Sequence, residues 1–426
     1  MITNLQIDNF KSLKGINVKF GDLNFIVGPN ASGKTNLAEA LDFLSHAIRE
    51  DLAYAVSEKG GFYNICHRRQ RRARGAISFS ISCSFRVATN VDCNFTLQFQ
   101  IKTKGEDIRA DFFVSSESLL IQYVSAGFKR GATSLFVWRE KDEYKSEFSQ
   151  EVVGNSLQHP AITRFAQRCK NVPNILESFD EVSPQSLILS GYLREFWPLS
   201  MIAKELRGLR VFQFNPRLAR QPAAPSVHGD LGRRGENLAS ALDRVRLHEG
   251  NTFKTLTQWL KDVVPTLGRL MTDYTDSRQL GLFFEEDGFA ARWFAEDVSD
   301  GTIMSVALFF SLLDRRHRIV MIEEPETSLH PWILRKFLER CRELSVKRQI
   351  IITTHSPLAV AFAKPSELFL IDRKEGATSL TRAEDLEANL SEIIRADLIN
   401  LGEYWLSGGL GAVPTVPDVG DDELFG

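Results

Sequence analysis

The sequence predicts an α/β fold in which one mainly parallel sheet is built from both ends of the 426-residue chain. Three observations support this prediction. Near the start, an apolar run leads into the phosphate-binding pattern Gly-x4-Gly-Lys-Thr; towards the other end, one apolar run ends in two acids and the next ends at a histidine. Because all three patterns suit phosphate chemistry, their strands must lie side by side, and the long middle segment is predicted to be an insertion.

The composition is that of an ordinary globular protein, with 43% hydrophobic and 25% charged residues. The net charge of −2 excludes a global basic field, so any contact with nucleic acid must come from a local patch. The five cysteines are scattered without C-x-x-C spacing, so we expect neither a thiolate metal site nor a disulfide framework. The charged, alternating start is unlike a signal peptide, and no apolar run is long enough to cross a bilayer, so we expect a cytoplasmic protein without a membrane partner.

The phosphate loop is predicted at residues 28–35, after a strand at 23–27 and before an amphipathic helix at 36–49. Backbone N–H groups and the positive end of the helix dipole make such a turn an anion site. Lys34 would reach the β- and γ-phosphates, and the Thr35 hydroxyl would ligate Mg²⁺. The residues predicted to bind the nucleotide here are Asn30, Ala31, Ser32, Gly33, Lys34, Thr35 and Asn36.

The turn Asn9–Ser12 precedes this strand and allows two interpretations. It is either only a turn, or it borders the nucleotide base. In the second case Phe10 or Lys11 lies near the adenine or the phosphates.

At the other end of the chain, one acid is predicted to bind the metal, and a second acid and a histidine are predicted to act in catalysis together with Lys34. Glu323 ends a buried strand and would hold Mg²⁺, through water because this ion keeps several waters. Glu324 would polarise the attacking water as a general base. His355 ends the next buried strand and would contact the γ-phosphate side, although a lone histidine is more often structural. Upstream, Ser299 is predicted to cap an apolar helix that runs to Leu313.

The middle of the chain is less informative. Residues 75–150 alternate with period two and predict an antiparallel meander, and residues 156–206 predict helices, with amphipathic stretches at Ile162–Cys169 and Leu187–Leu206. A strand is expected at 209–214, an exposed loop or linker at 216–235, helices at 237–247 and 253–264, and strands at 269–293. The densest basic run is either a solvated loop or a contact with a nucleic-acid backbone through Arg68, Arg69, Arg71, Arg72 and Arg74.

The full set of motifs resembles the ABC-type ATPases of the SMC and RecF kind. More closely, it is similar to stand-alone bacterial AAA family ATPases of phage-defence operons, such as the ATPase subunits of Septu and PARIS. The resemblance covers both ends strongly and the centre weakly. It is carried by IDNFKSLKGINVKFGDLNFIVGPNASGKTNLAEAL, GGFYNICHR, RVFQFNPRLAR, GENLASAL, VSDGTIMSVALFFSLL, IVMIEEPETSLHPW and IITTHSPLAV.

The resemblance implies a P-loop NTPase head of the ABC type, built from both chain ends with a β-rich and helical insertion between them. By position, the phosphate loop matches Walker A, Glu323 and Glu324 match Walker B and the catalytic acid, and His355 matches the H-switch. The signature motif is matched by Ser299, Asp300 and Gly301, and Ser299 and Gly301 are predicted to bind nucleotide. The D-loop is matched by Thr327 to His330.

Three positions depart from the family pattern. Ala31 replaces the usual glycine, Glu323 replaces an aspartate, and the Q-loop glutamine has no clear match except Asn64 or Gln70. A literal transporter signature, Leu406–Gly409, follows the H-switch rather than preceding the Walker B strand, so we interpret it as coincidental.

The predicted division is residues 1–64 and 291–375 for the two halves of the head, 65–290 for the insertion and lid, and 376–426 for a C-terminal extension. The resemblance implies ATP and Mg²⁺ as cofactors and a homodimer that sandwiches ATP between two heads. It also implies anti-phage defence through a separately encoded effector, perhaps a nuclease, because the sequence has no HNH-type histidine cluster and little room for a toprim domain. The alternatives are an ATP-stabilised scaffold with little turnover, a RecF- or SMC-like repair ATPase, and, least favoured, a transporter subunit.

Overall fold

A computed structural model of the chain describes most of the sequence. The described residues are 1–67, 75–105, 111–125, 133–141, 143–150, 160–177, 183–190, 197–226, 229–289, 291–387, 390–396 and 399–411.

Strands among these residues form three sheets. They are β1 (Ile2–Asp8), β2 (Ile16–Val18), β3 (Leu23–Val27), β4 (Ile77–Ala88), β5 (Val91–Thr103), β6 (Phe112–Ser125), β7 (Thr133–Glu140), β8 (Glu143–Gln150), β9 (Leu209–Phe212), β10 (Leu267–Tyr274), β11 (Leu280–Glu286), β12 (Arg292–Phe294), β13 (Ile319–Glu323), β14 (Gln349–Thr354), β15 (Leu368–Lys374) and β16 (Ala377–Arg382).

The helices vary from one to four turns. They are α1 (Lys34–Arg49), α2 (Leu52–Glu58), α3 (Phe62–Ile65), α4 (Pro160–Cys169), α5 (Val172–Glu177), α6 (Leu199–Leu206), α7 (Pro216–Ala219), α8 (Leu238–His248), α9 (Gly250–Val263), α10 (Asp300–Leu313), α11 (Pro331–Ser345), α12 (Pro357–Phe362), α13 (Ala383–Leu386), α14 (Leu390–Ala396) and α15 (Leu401–Leu406).

The six-stranded sheet has the order β16-β15-β3-β14-β13-β9, and only the edge strand β16 is antiparallel to its neighbour. The sheet therefore joins β3, from the start of the chain, to β13 and β14 near the other end, which confirms the predicted fold class. Strand β9 comes from the range assigned to the insertion, so the core sheet also takes a strand from the middle of the chain. The domain boundaries themselves stay a prediction.

Both faces of this sheet are buried, which explains why its strands read as continuous apolar runs. Alternate side chains of β13 enter two separate hydrophobic cores: Ile319 and Met321 pack with α1 and the seven-stranded sheet, whereas Val320 and Ile322 pack with α8 to α12. Because successive side chains of a strand point to opposite faces of the sheet, one hydrophobic core lies on each face of the six-stranded sheet.

The seven-stranded antiparallel sheet has the order β2-β1-β4-β5-β6-β7-β8. It confirms the predicted meander and adds to it the first two strands of the chain. The three-stranded sheet β10-β11-β12 follows helices α8 and α9, as the sequence pattern predicts.

Two predictions for the middle of the chain are wrong. Residues 187–190 form a turn rather than the start of a helix, and α6 begins only at Leu199. Residues 216–235 are not an exposed linker, because they contain α7 and the buried Leu231. A stretch rich in Pro, Gly and Arg looks solvated, but here Arg233 forms ion pairs with the buried carboxylates of Asp42 and Glu323.

Candidate functional site

The phosphate loop lies between β3 and α1, where the sequence predicts it. Lys34 is the first residue of α1, and Gly33 precedes it with a φ of 114°, a conformation that favours glycine. Ala31 also has a positive φ, 62°, so the residue that replaces the usual glycine adopts a left-handed conformation. Asn30, Ala31 and Thr35 are exposed at the mouth of the loop.

Close contacts with β15 and β16 fix the outer shape of the loop. A Cβ on Gly28 would lie 2.1 Å from the carbonyl oxygen of Ile371, and one on Gly33 would lie 2.3 Å from the Thr378 Oγ1. The Thr378 hydroxyl donates to the Ser32 carbonyl oxygen (3.0 Å) and lies 2.6 Å from the Ser12 hydroxyl. The glycines are therefore required by space as well as by backbone conformation.

Lys34 is nearly buried and folds back onto its own loop. Its Nζ donates to the carbonyl oxygens of Gly28 (2.7 Å) and Pro29 (2.9 Å). Burial lowers the pKa of Lys34, and the carboxylates of Glu324 and Glu326 oppose that shift. The lysine and the acids of the distant motif therefore share one electrostatic environment.

The ends of three parallel strands bring the predicted catalytic residues together. Glu323 is paired in register with Thr353, and Thr354 with Val27, so β13, β14 and β3 end side by side. The carboxyl edge of a parallel sheet is the usual place for a ligand.

At this edge His355 faces two carboxylates. Its Nδ1 lies 3.6 Å from Glu324 Oε1 and 3.3 Å from Glu326 Oε1. Glu326 Oε1 also accepts from the Thr354 hydroxyl (2.8 Å) and from the backbone N–H of His355 (2.9 Å). Sequence reasoning missed Glu326, which lies two residues after the Glu323–Glu324 pair. Its carboxylate holds Thr354 and His355 in place.

Glu324 has a left-handed backbone conformation, with a φ of 46°. Its N–H donates to the Thr353 carbonyl oxygen (2.9 Å), and its side chain is 38% exposed. A non-glycine residue in this region is strained by about 1 kcal/mol, and such strain is typical of functional positions. The turn directs an accessible carboxylate towards the loop, whereas its neighbour Glu323 is buried.

Arg233 forms a bridge between the two halves of the site. Its guanidinium donates to Glu323 Oε1 (2.7 Å) and to Asp42 Oδ2 on α1 (2.9 Å). Lys59 also donates to Asp42 Oδ2 (2.6 Å). Burial raises the pKa of Glu323, and the Arg233 guanidinium opposes this. Sequence reasoning missed Arg233 because it lies in the segment that was predicted to be a linker.

Lys11 and Phe10 have different positions relative to the loop. Lys11 lines a cleft of about 430 Å³ beside the loop, together with Asn36 and Asn64, and forms an ion pair with Glu39. Phe10 is fully buried against Phe43 and Phe79, so the interpretation that places Phe10 beside a base is wrong. Asn64 remains a Q-loop candidate by position, whereas Gln70 and the basic run at 68–74 lie outside the described residues.

The predicted signature segment is exposed at the start of α10. The Ser299 hydroxyl caps the helix by accepting from the Thr302 N–H (3.2 Å), and Asp300 forms an ion pair with Arg220. A Cβ on Gly301 would lie 3.2 Å from the Ser328 carbonyl oxygen, so this segment touches the predicted D-loop. The structure shows no hydrogen bond between Ser299 and the phosphate loop of the same chain in its described parts.

The polar groups at this edge suit a nucleotide and a hard cation. Three buried side-chain oxygens lack a hydrogen-bond partner among the described residues: Ser32 Oγ, Glu326 Oε2 and Thr353 Oγ1. Glu323 and Thr35 offer the oxygen donors that Mg²⁺ prefers. No cluster of three or more His, Cys, Asp or Glu side chains suited to a metal occurs in the described part of the chain.

Leu406 to Gly409, the literal transporter signature, ends α15 and continues as a turn. It opens no helix. The described helices include none that is long and apolar enough to cross a membrane.

Comparisons with known proteins give a family and several relatives. A family described as "AAA domain, putative AbiEii toxin, Type IV TA system" matches residues 23–361. An OLD nuclease of Thermus scotoductus is 24% identical over 411 residues, which cover 91% of this chain and 66% of the relative. The DNA replication and repair protein RecF of Haemophilus ducreyi is 48% identical over 46 residues, 11% of this chain and 13% of that protein. The chain thus spans just under two thirds of the OLD nuclease.

Among solved structures, an Smc head bound to the C-winged helix domain of ScpA has a TM-score of 0.44 and 14% identity. The match covers 89% of this chain and 96% of the Smc head chain. An Smc head domain of Pyrococcus furiosus, bound to the C-terminal domain of ScpA, has a TM-score of 0.42 and 12% identity, with coverages of 92% and 99%.

Proposed function

We propose that this chain, which belongs to the AAA-domain family and has an ABC-type, SMC-like ATPase head, hydrolyses ATP and uses it as a dimerising switch. One observation carries the proposal. Lys34, Glu324 and His355 come from distant parts of the chain and meet at one edge of a parallel sheet, where the charges of Glu324 and Glu326 reach Lys34.

Each residue has a proposed role in hydrolysis. Lys34 and the N–H groups of the loop would stabilise the charge of the β- and γ-phosphates. Glu324, partly exposed and held by a strained turn, would orient the attacking water, and His355 would contact the γ-phosphate. Thr35 and Glu323 would hold Mg²⁺, which supplies charge neutralisation on the phosphates when it is bound.

Dimerisation is proposed from the position of Ser299. Its hydroxyl is exposed at a helix N-terminus and makes no hydrogen bond to its own phosphate loop in the described residues. A second head would complete the site by presenting its Ser299 and Gly301 to the nucleotide of the first head. Hydrolysis would remove the γ-phosphate contacts and open the dimer, which is a two-state switch.

We further propose a cytoplasmic role in anti-phage defence. The switch would control an effector on a separate chain, which we propose to be a nuclease. The similarity to an OLD nuclease over 91% of this chain supports a link between this head and nuclease chemistry. The arginine run 68–74 is a proposed contact with nucleic acid. We also propose heads at 1–64 and 291–375, an insertion at 65–290 and an extension at 376–426.

A role in DNA repair is the second candidate. It is favoured by the local identity of 48% with RecF over 46 residues. A repair ATPase would bind DNA without an effector chain, so binding of the neighbouring operon product distinguishes the two.

The decisive experiment is native mass spectrometry of Glu324→Gln with and without Mg-ATP, alone and with the neighbouring operon product. We expect the mass to double only with ATP, because the variant binds ATP but hydrolyses it slowly. Lys34→Ala is the matched control and should stay monomeric with ATP. An oligomer that is unchanged by ATP and already holds its partner would contradict the switch and support a scaffold.

A further inference from the structure

A basic cleft lies at the opposite edge of the six-stranded sheet from the nucleotide site. Its volume is about 470 Å³. Arg318 directly precedes β13, and Arg348 directly precedes its neighbour β14. The nucleotide site lies beyond the other end of the same strands, so about 16 Å of strand separates the two. This basic cleft is therefore a separate feature of the molecule.

Its lining carries positive charge without negative charge. The charged side chains that line it are Arg315, Arg318, Lys347 and Arg348, with His317 on the floor and no Asp or Glu among the described lining residues. In a chain with a net charge of −2, this is a strong local concentration of cations.

Two acids that adjoin the lining in the sequence, Asp314 and Glu249, pair with arginines outside the lining. Asp314 is fully buried and pairs with Arg316 (2.7 Å) and Arg244 (3.2 Å). Glu249 pairs with Arg244 (3.0 Å) as well. Arg315, Arg318 and Lys347 are exposed and form no ion pair with any described carboxylate. Their charge is therefore available to an external anion.

One buried donor of the cleft has no hydrogen-bond partner among the described residues. The Arg348 guanidinium contacts the carbonyl oxygens of Leu312 and Asp314, but its buried Nε has no hydrogen-bond partner among the described residues. Burial lowers the pKa of Arg348; Asp314 opposes this, and Arg318 and Arg315 lower the pKa further.

The first turns of α9 complete the cleft. Asn251, Thr252 and Thr255 line it with amide and hydroxyl groups. The N-terminal end of this 14-residue helix adds backbone N–H groups, and the carboxylate of its N-cap residue Glu249 accepts from the Thr252 hydroxyl (3.4 Å) and pairs with Arg244 (3.0 Å). Leu313 and Leu344 are the apolar members; no Phe, Tyr or Trp is among the described lining residues, and the His317 ring is buried against Phe212.

We propose that this basic cleft binds the phosphate backbone of a nucleic acid without reading its sequence. Four cations and the N–H and hydroxyl groups at the start of α9 suit successive phosphates, and no Phe, Tyr or Trp among the described lining residues offers the stacking platform that bases need. The two basic runs, 315–318 and 347–348, lie far apart in the sequence. Pairing of Ile319 with Gln349 brings them together.

The test measures binding of a fluorescein-labelled 30-base-pair DNA duplex of random sequence by anisotropy, over a range of salt concentrations. With four phosphate contacts, the affinity of the intact chain should fall about a hundredfold between 50 and 200 mM salt. The test variant carries Arg315→Gln, Arg318→Gln and Lys347→Gln. It should reduce the slope of log K against log salt by about three, because each lost contact reduces it by about one.

The control variant carries Lys14→Gln, Lys19→Gln and Lys102→Gln. It loses the same charge from exposed positions outside the cleft, so it should bind like the intact chain. Equal losses in both variants would overturn the proposal, as would unchanged binding by the cleft variant or no binding by the intact chain. Displacement of DNA by equimolar tripolyphosphate would also overturn it in favour of a small-anion site.

Thermal unfolding and ATP turnover of the cleft variant should match those of the intact chain, because the three side chains are exposed. The proposal does not depend on ATP hydrolysis. In the absence of ATP, Lys34→Ala should therefore keep the DNA affinity of the intact chain, so failure of the ATPase and failure of the cleft give different results.

Discussion

Replacement of Arg233 by alanine tests whether the bridge between α1 and β13 holds the site together. The substitution removes two charge-assisted hydrogen bonds, of 2.7 Å to Glu323 and 2.9 Å to Asp42. Asp42 keeps Lys59 as a partner, whereas Glu323 loses the only cation that pairs with it among the described residues. The Glu323 side chain is 2% exposed, so water cannot replace the lost partner.

The expected cost follows from this geometry. Breaking a buried ion pair by removing one partner costs about 3–5 kcal/mol, because a buried charge is left without compensation. Arg233 itself is 23% exposed, and solvent weakens its interactions. We therefore expect Arg233→Ala to lower the free energy of unfolding by about 2–4 kcal/mol. It should also lower the affinity for Mg²⁺ in the presence of ATP about 10- to 100-fold, because it removes a group that orients the metal ligand Glu323.

Urea unfolding and titration of a fluorescent ATP analogue with Mg²⁺ measure the two effects. Arg234→Ala is the matched control, because Arg234 is the adjacent residue of the same type and is exposed. It should change stability by no more than about 0.5 kcal/mol. The reasoning is refuted if the two variants are equally stable and bind Mg-ATP alike. Arg233→Lys should be intermediate, because a single ammonium cannot span both carboxylates as a guanidinium does.

The free energy of unfolding lost in Arg233→Ala should depend on pH, and the pKa of Glu323 determines the direction of that dependence. Burial raises the pKa of Glu323, so the contribution of Glu323 to stability is fully present at low pH and is lost as the pH rises through its raised pKa. Removing the Arg233 charge raises that pKa further. The destabilisation by Arg233→Ala should therefore be larger at about pH 8 than at about pH 5. Equal destabilisation at the two pH values would show that Glu323 stays charged without its partner.

Two further predictions concern packing at the loop and a buried acid in the seven-stranded sheet. Gly28→Ala should reduce ATP turnover about a hundredfold, because its Cβ would lie 2.1 Å from the Ile371 carbonyl oxygen and displace the loop. Gly250→Ala is the control in the same turnover assay, because a Cβ at Gly250 would meet no atom within 4 Å. Glu117 accepts from the Tyr144 hydroxyl (2.6 Å) and the Ile188 N–H (2.7 Å), and burial raises its pKa to about 7. The stabilising contribution of Glu117 is thus lost as the pH rises through about 7, which should lower the melting temperature of the intact chain. In Glu117→Gln this fall in melting temperature around pH 7 should be absent. An equal fall in the variant and the intact chain would contradict the prediction.

The sequence was sufficient to locate the nucleotide motifs because their chemistry is local. A glycine-rich turn between a strand and a helix, or two acids at the end of an apolar strand, has the same meaning wherever the rest of the chain goes. The need for Gly28 and Gly33 is only partly visible in that pattern. Ile371 and Thr378, which make a Cβ impossible at these positions, come from the other end of the chain.

Arg233 and the basic cleft depend instead on how distant segments pair. Arg233 lies in a segment whose Pro, Gly and Arg content suggested a solvated linker, and no local period indicates that its side chain reaches a buried carboxylate. Arg318 and Lys347 stand in two short basic runs that are unremarkable separately. Only the parallel register of Ile319 with Gln349 combines them into one surface.

These contacts also indicate how the two edges of the sheet communicate. Strand β13 begins directly after Arg318 and ends at Glu323, and all five of its residues are buried. A buried, close-packed strand moves as a unit rather than bending, so a ligand that shifts one end shifts the other. Arg233 then connects Glu323 to Asp42 on α1, the helix that starts at Lys34. DNA bound at the basic cleft should therefore change the affinity for ATP, and by reciprocity ATP should change the affinity for DNA by the same factor. Arg233→Ala should reduce that mutual factor, because it removes the connection on which the coupling depends.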